Sequence, residues 1–150
     1  MGKPKIDVNP AGALTVLSVS PFSEDHSSLE AIIAPSKCIV LKAEKLPAAR
    51  ALLQKHDISV VICECDLSSG KWTDILAHIQ PMRNPPSLIV TSRLADDRLW
   101  SLALNLGAWD VLAKPFDQNE VQRSVRSAWQ HRHDLIELAA KPRRIAAPGS

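Results

Sequence analysis

The sequence predicts an open, doubly wound α/β sheet of five parallel strands, built from five successive βα units. Five short runs rich in aliphatic and β-branched residues recur along the chain, and a helical pattern follows each of them. The runs are nearly unbroken in their apolar character, which marks strands covered on both faces by helices. A length of 150 residues with 45% hydrophobic side chains suits one domain with a substantial core.

Leu14 to Val19 reads as the first strand. Ser23 to Ala34 follows as the first helix, with Leu29, Ile32 and Ile33 at helical spacing and Pro35-Ser36 ending it. Cys38 to Leu41 is the second strand and Leu46 to His56 the second helix, where Pro47 is tolerated in the first turn. Ile58 to Cys63 is the third and most continuously apolar strand. Trp72 to Ile79 is the third helix, and a turn carrying Pro81, Pro85 and Pro86 leads to the fourth strand, Leu88 to Val90. Asp96 to Leu106 is the fourth helix, ended by Gly107, and Trp109 to Leu112 the fifth strand. The fifth helix starts at Asp117 and carries Val121, Val125, Ala128, Trp129, Leu135, Ile136 and Ala139 on one stripe, reaching Ala140 before Pro142 ends it. Residues 1–13 read as a flexible N-terminal segment, 14–140 as the domain and 141–150 as a disordered tail.

Charge is unevenly placed. Residues 1–116 carry 12 basic and 12 acidic side chains, so the whole excess of +2 lies in residues 117–150. Three cysteines, Cys38, Cys63 and Cys65, are an odd number with two of them in or beside a buried apolar run, which argues against a disulfide framework and predicts a reducing cytoplasm. No apolar run approaches the roughly 18 to 20 residues of a membrane span, and Met1 to Gly12 lacks the apolar core of a signal peptide. The expectation is a soluble chain that is not exported.

In an open parallel sheet, chemistry gathers beyond the carboxyl ends of the strands, near the switch in strand order. This sequence sets Ser20, Pro21, Glu64, Thr91 and Lys114 there. Three stretches, VVICE at 60–64, IVTS at 89–92 and GAWDVLAKPFD at 107–117, combine with the order of elements so that residues 14–133 resemble a response-regulator receiver domain. The resemblance implies a CheY-like, flavodoxin-like (βα)5 fold and a role in two-component signal transduction. It places the phosphoacceptor aspartate at Glu64, the acidic Mg²⁺-binding pair at Ser20 and Pro21, the switch threonine at Thr91, the phosphoryl-contacting lysine at Lys114 and the switch aromatic at Val111.

Several of those positions depart from the family pattern. Mg²⁺ needs oxygen ligands in octahedral geometry, and neither Ser20 nor Pro21 offers a carboxylate, so Mg²⁺ binding is expected to be lost or weak and no other cofactor is implied. Glu64 is one methylene longer than aspartate and should reach toward Lys114 and Thr91. Two readings share that geometry: a weak built-in phosphomimetic, or a buried ion pair that fills the vacated site without signalling meaning. Glu24 and Asp25 follow at the start of the first helix and read as partners of its dipole. Asp66 reads as a loop carboxylate, with a displaced phosphoacceptor as the alternative. Cys63 and Cys65 alternate across a strand, and His131 and His133 lack further ligands, so no metal site is expected. With Val111 in place of the aromatic, the two-state switch reads as disabled.

The expected function is therefore a stand-alone degenerate receiver, or pseudo-receiver, acting in signal transduction through protein contacts and not an enzyme. The candidate partner surface is Trp100, Leu104 and Val111, with Leu99, Leu102 and Leu106 turned toward the core; the partner would be a histidine kinase or an output protein. A homodimer through helix four or helix five is a further expectation. Arg123, Arg126, Arg132, Lys141, Arg143 and Arg144 are interrupted by four acids, so nucleic acid is not the expected partner, nor is a membrane. A phosphoacceptor receiver using Asp66 or Glu64, and a basic-tailed nucleic-acid accessory, are the alternatives.

Overall fold

The computed structural model describes residues 14–141; the predicted N-terminal segment and all of the predicted tail beyond Lys141 lie outside the described residues. The elements run β1 (Thr15–Val19), α1 (Ser23–Ile33), β2 (Ile39–Ala43), α2 (Leu46–Lys55), β3 (Val60–Glu64), α3 (Trp72–Ile79), β4 (Ser87–Ser92), α4 (Asp97–Leu106), β5 (Asp110–Ala113) and α5 (Gln118–Ala140). The five strands form one parallel sheet in the order β2-β1-β3-β4-β5. The order reverses between β1 and β3, which places the switch point at their carboxyl ends.

Alternation along each strand builds two cores. Leu17, Val19, Val61, Cys63, Leu88, Val90 and Val111 pack on the side of α2, α3 and α4, whereas Val16, Val60, Ile62, Ile89 and Leu112 pack on the side of α1 and α5. β2 is an edge strand and only partly covered, with Ile39 exposed, so the expectation that every strand is buried on both faces holds only for the inner ones.

Helix ends follow the local chemistry. The Asp96 and Asp117 carboxylates accept from the backbone N–H groups of Leu99 and Glu120, capping α4 and α5. Gly107 closes α4 at φ +116°, a left-handed conformation that a side chain would strain. Pro35 does not stop the first helix outright: a 3₁₀ turn, Ala34–Ser36, extends it. A two-residue hairpin, Asp66–Leu67 with Gly70–Lys71, joins β3 to α3 and was not expected, because segments this short carry no periodicity.

The register of α4 differs from expectation. Ala103 is fully buried and Leu99 packs partly against the core, whereas Leu102 and Leu106 are about half exposed. The expected stripe of 99, 102 and 106 is thus rotated to 99 and 103, one i,i+4 pair, because the small alanine lets the helix sit close to the sheet. Val111 is only 6% exposed and faces that same core beneath α4, so it is not part of a partner surface. Leu104 is partly buried, and Trp100 is 50% exposed.

Candidate functional site

Three side chains meet at the carboxyl ends of β3 and β5. Glu64 ends β3, in register beside Thr91 of β4, and Lys114 follows the last residue of β5, before a cis peptide bond to Pro115. Both have the same strand parity as Ile62 and Leu112, which turns them to the face that carries α1. The Lys114 Nζ lies 2.5 Å from Glu64 Oε1 and 2.8 Å from Asp25 Oδ2. All three side chains are only 8–9% exposed.

Asp25 is the residue that the sequence reading misplaced. It sits in the first turn of α1, yet its carboxylate is buried in the site rather than spent on the helix dipole alone. A detectable signal existed: Asp25 shares one helical line with the buried Leu29 and Ile33, at i, i+4 and i+8, so a charge stood on the sheet-facing stripe. Ser20 holds it. The Ser20 hydroxyl donates to Asp25 Oδ2 at 2.6 Å and accepts from the Phe22 N–H at 3.0 Å. Next to it, the His26 ring is clamped between the Ser18 hydroxyl (2.8 Å to Nδ1) and the Ser20 carbonyl (2.9 Å to Nε2). This buried polar net ties β1 to α1 and fixes where the Asp25 carboxylate points.

Burial acts against the charge on Lys114. The hydrogen bond that Lys114 donates to Asp25 and the Coulomb attraction of Glu64 and Asp25 outweigh it and hold the ammonium above its usual pKa. The exposed Phe22 ring stands 4.9 Å from the same ammonium, a cation–π contact at the mouth. Glu64 Oε1 is buried without a well-directed hydrogen bond, so its contact with Lys114 is best described as an ion pair. The other oxygen, Oε2, accepts from the Asp66 N–H at 3.3 Å and lies 3.5 Å from Cys65 Sγ. Thr91 is buried beside Glu64, but the carboxylate has turned to Lys114, Cys65 and Asp66, not to the threonine hydroxyl.

Two clefts of about 370 Å³ flank the ion cluster, one toward α1 and Phe116, the other toward Asp66, Ser92 and Leu94. Phe22, Arg93 and Lys114 line both. Arg93 carries no ion pair among the described residues, and nothing in the sequence reading singled it out. The two histidines of α5 are not simply solvated: His131 stacks on Trp109 and His133 on Trp129, with ring centroids 4.6 and 4.7 Å apart. Arg132, counted among the basic residues of the helix, is bound to Asp57 and the Asn84 carbonyl.

The donor set does not fit the Mg²⁺ that the receiver resemblance implies. Pro21 has no side-chain oxygen, the Ser20 hydroxyl is committed to Asp25 and Phe22, and the Asp25 and Glu64 carboxylates close on a lysine ammonium. Mg²⁺ prefers an octahedral oxygen shell, and Asp25 and Glu64 each already commit one carboxylate oxygen to the Lys114 ammonium.

A family profile for the response regulator receiver domain matches residues 24–126, beginning just after Ser20 and Pro21. The sensory transduction protein LytT of Bacillus subtilis is 25% identical over 96 residues, which make up 64% of this chain and 39% of that protein. The transcriptional regulatory protein DpiA of Escherichia coli is 22% identical over 129 residues, 86% of this chain and 57% of that protein. The chain therefore spans roughly two-fifths to three-fifths of the length of these curated relatives. The signal receiver domain of an HD domain-containing protein from Pseudomonas fluorescens shares the fold with a TM-score of 0.74 at 24% identity, covering 81% of this chain and 98% of that one. Strand order, the lysine at the end of β5 and the profile match agree: the chain belongs to the response regulator receiver domain family.

Proposed function

We propose that this receiver domain is a pseudo-receiver, which transmits signals through protein contacts, does not accept a phosphoryl group, does not use Mg²⁺ and has no enzymatic activity of its own. The observation that carries the reading is the Lys114 ammonium held between Asp25 and Glu64. A phosphoryl group entering next to Glu64 would have to compete for a lysine that two buried carboxylates already neutralise. The Glu64 carboxylate then stands in permanently for the negative charge that phosphorylation supplies elsewhere, with one charge fewer and no third oxygen. Intact-mass measurement after incubation with Mg²⁺ and a small acyl phosphate tests this, with Trp fluorescence under Mg²⁺ and beryllofluoride as the second readout. No added mass and no spectral change are expected. A stable phosphoryl adduct on Asp66 or Glu64 overturns the reading.

The surface for a signalling partner, a kinase or an output protein, is α4, where Trp100, Leu102 and Leu106 stand about half exposed. A second copy is the other candidate, through the end of α5, where Leu135 and Leu138 are exposed. Sedimentation equilibrium of the intact chain tests it: a monomer at the highest attainable concentration removes the dimer. Among the described residues no helix is long and apolar enough to cross a membrane, and three free thiols suit a reducing compartment.

A further inference from the structure

At the amino end of the sheet, far from the Lys114 cluster, a pocket of about 90 Å³ lies between the last turn of α1 and the middle of α5. Leu14 and Cys38, which lead into β1 and β2, line it with Ile33 of α1 and with Val125 and Trp129 of α5. Two contacts fix its shape. The Gln122 Nε2 donates to the Ile32 carbonyl at 3.1 Å, which ties α5 to the end of α1, and the Trp129 ring is held by stacking on His133.

Size and charge decide what such a pocket can take. Sites for drug-sized ligands and cofactors measure about 300 to 1,000 Å³, so a nucleotide does not fit. An apolar cavity of about 150 Å³ takes a benzene ring, and this smaller one suits a short branched chain or the edge of a small ring. The polar side chains around it are Ser36, Gln122 and Arg126, and among the described residues no carboxylate lines it. Arg126 is exposed and has no ion-pair partner among the described residues. The Cys38 thiol, whose pKa burial raises to about 11, stays neutral and adds no charge. Apolar walls beside one available guanidinium match an apolar group that ends in a carboxylate.

We infer that the cleft between the end of α1 and α5 binds a small apolar monocarboxylic acid, with its branched or aromatic body against Ile33, Cys38, Val125 and Trp129 and its carboxylate on the Arg126 guanidinium. The inference does not rest on the proposed loss of phosphoryl transfer, since the two sites share no residue. Ile33 stands on the same line of α1 as Asp25, so an acid seated in the cleft braces the helix that carries Asp25 into the Lys114 cluster. The carboxyl terminus of a peptide ending in leucine has the same chemistry. A volume of about 90 Å³ takes one side chain and leaves no room for the peptide behind it, which favours the free acid.

The test titrates the full chain with isovalerate, and with the uncharged analogue 3-methylbutan-1-ol, while proton–nitrogen spectra follow the Trp129 indole N–H. Isovalerate is expected to give a saturable shift of Trp129 and to bind about threefold to fivefold more tightly than the alcohol, the range that an exposed ion pair supplies. Arg126→Gln should erase that preference and keep the weaker alcohol binding, whereas Cys38→Leu, which fills the cleft, should abolish both. On the unaltered chain, isovalerate should slow alkylation of Cys38 and leave that of Cys65 unchanged, which keeps the test valid if a variant fails to fold. Absence of a saturable shift, equal binding of acid and alcohol, a preference that survives in Arg126→Gln, or alkylation of Cys38 indifferent to the acid overturns the inference. Tighter binding of the peptide Ala-Ala-Leu than of isovalerate would make the cleft a reader of peptide ends, and also overturns it.

Discussion

Replacing Lys114 with methionine keeps the length and apolar stem of the side chain and deletes its charge. Two carboxylates, from Asp25 and Glu64, are then left facing each other without a cation, on side chains that are 8–9% exposed. At an effective dielectric constant of about 20, each contact between unit charges at the observed 2.5 and 2.8 Å is worth roughly 6 kcal/mol of gross attraction. Desolvation of three ions and repulsion between the carboxylates consume most of that, so the net worth of the cluster is small. Breaking it from one side is another matter, since the desolvation remains without the attraction. The expected loss is about 3–5 kcal/mol, or roughly 10–20 °C in Tm for a domain of this size. Urea and thermal unfolding at pH 7 measure it. The triple variant Asp25→Asn, Glu64→Gln, Lys114→Met, which removes all three charges, should recover most of the loss. A single variant within about 1 kcal/mol of the parent, or a triple variant no better than the single one, would refute the view of a buried, mutually dependent cluster.

Other outcomes follow from the same structure. Because the folded pKa of Lys114 lies above its ordinary 10.5, the stability it supplies is complete below that pH and fades as pH rises through the higher folded value; urea melts between pH 8 and 12 should show it, and Lys114→Met should lack that alkaline step. The Cys38 thiol, raised by burial to about 11 from 9.0, should react with iodoacetamide about a hundredfold more slowly at neutral pH than after unfolding, as read by peptide mass; equal rates would contradict its burial. In α4, Ala103→Leu should cost roughly 1–3 kcal/mol by overfilling the sheet contact, whereas Leu102→Lys should stay within about 0.5 kcal/mol; the reverse ranking in chemical denaturation would return the helix to the register its leucines suggest.

That helix shows where sequence patterning stops. The βα alternation, the approximate element boundaries and the lysine at the end of β5 were legible because apolar periodicity and Lys114-Pro115 are local signals. In α4, four leucines and an alanine fit more than one apolar stripe, and the choice between them depends on how close the helix can approach the sheet. Val111 was assigned to a surface by analogy of position, while strand parity puts it in the core opposite the site.

By itself, then, the sequence determined a parallel doubly wound sheet with a carboxylate, Glu64, and a lysine, Lys114, at the ends of two of its strands, because both are written in residue type and short-range spacing. Only the tertiary structure decided that Asp25 refills the site from α1. That carboxylate lies 89 residues from Lys114 along the chain, and they meet because β1, β3 and β5 all turn the same parity toward the face that α1 covers. A residue's chemistry is local, but the partner that fixes its charge is selected by packing.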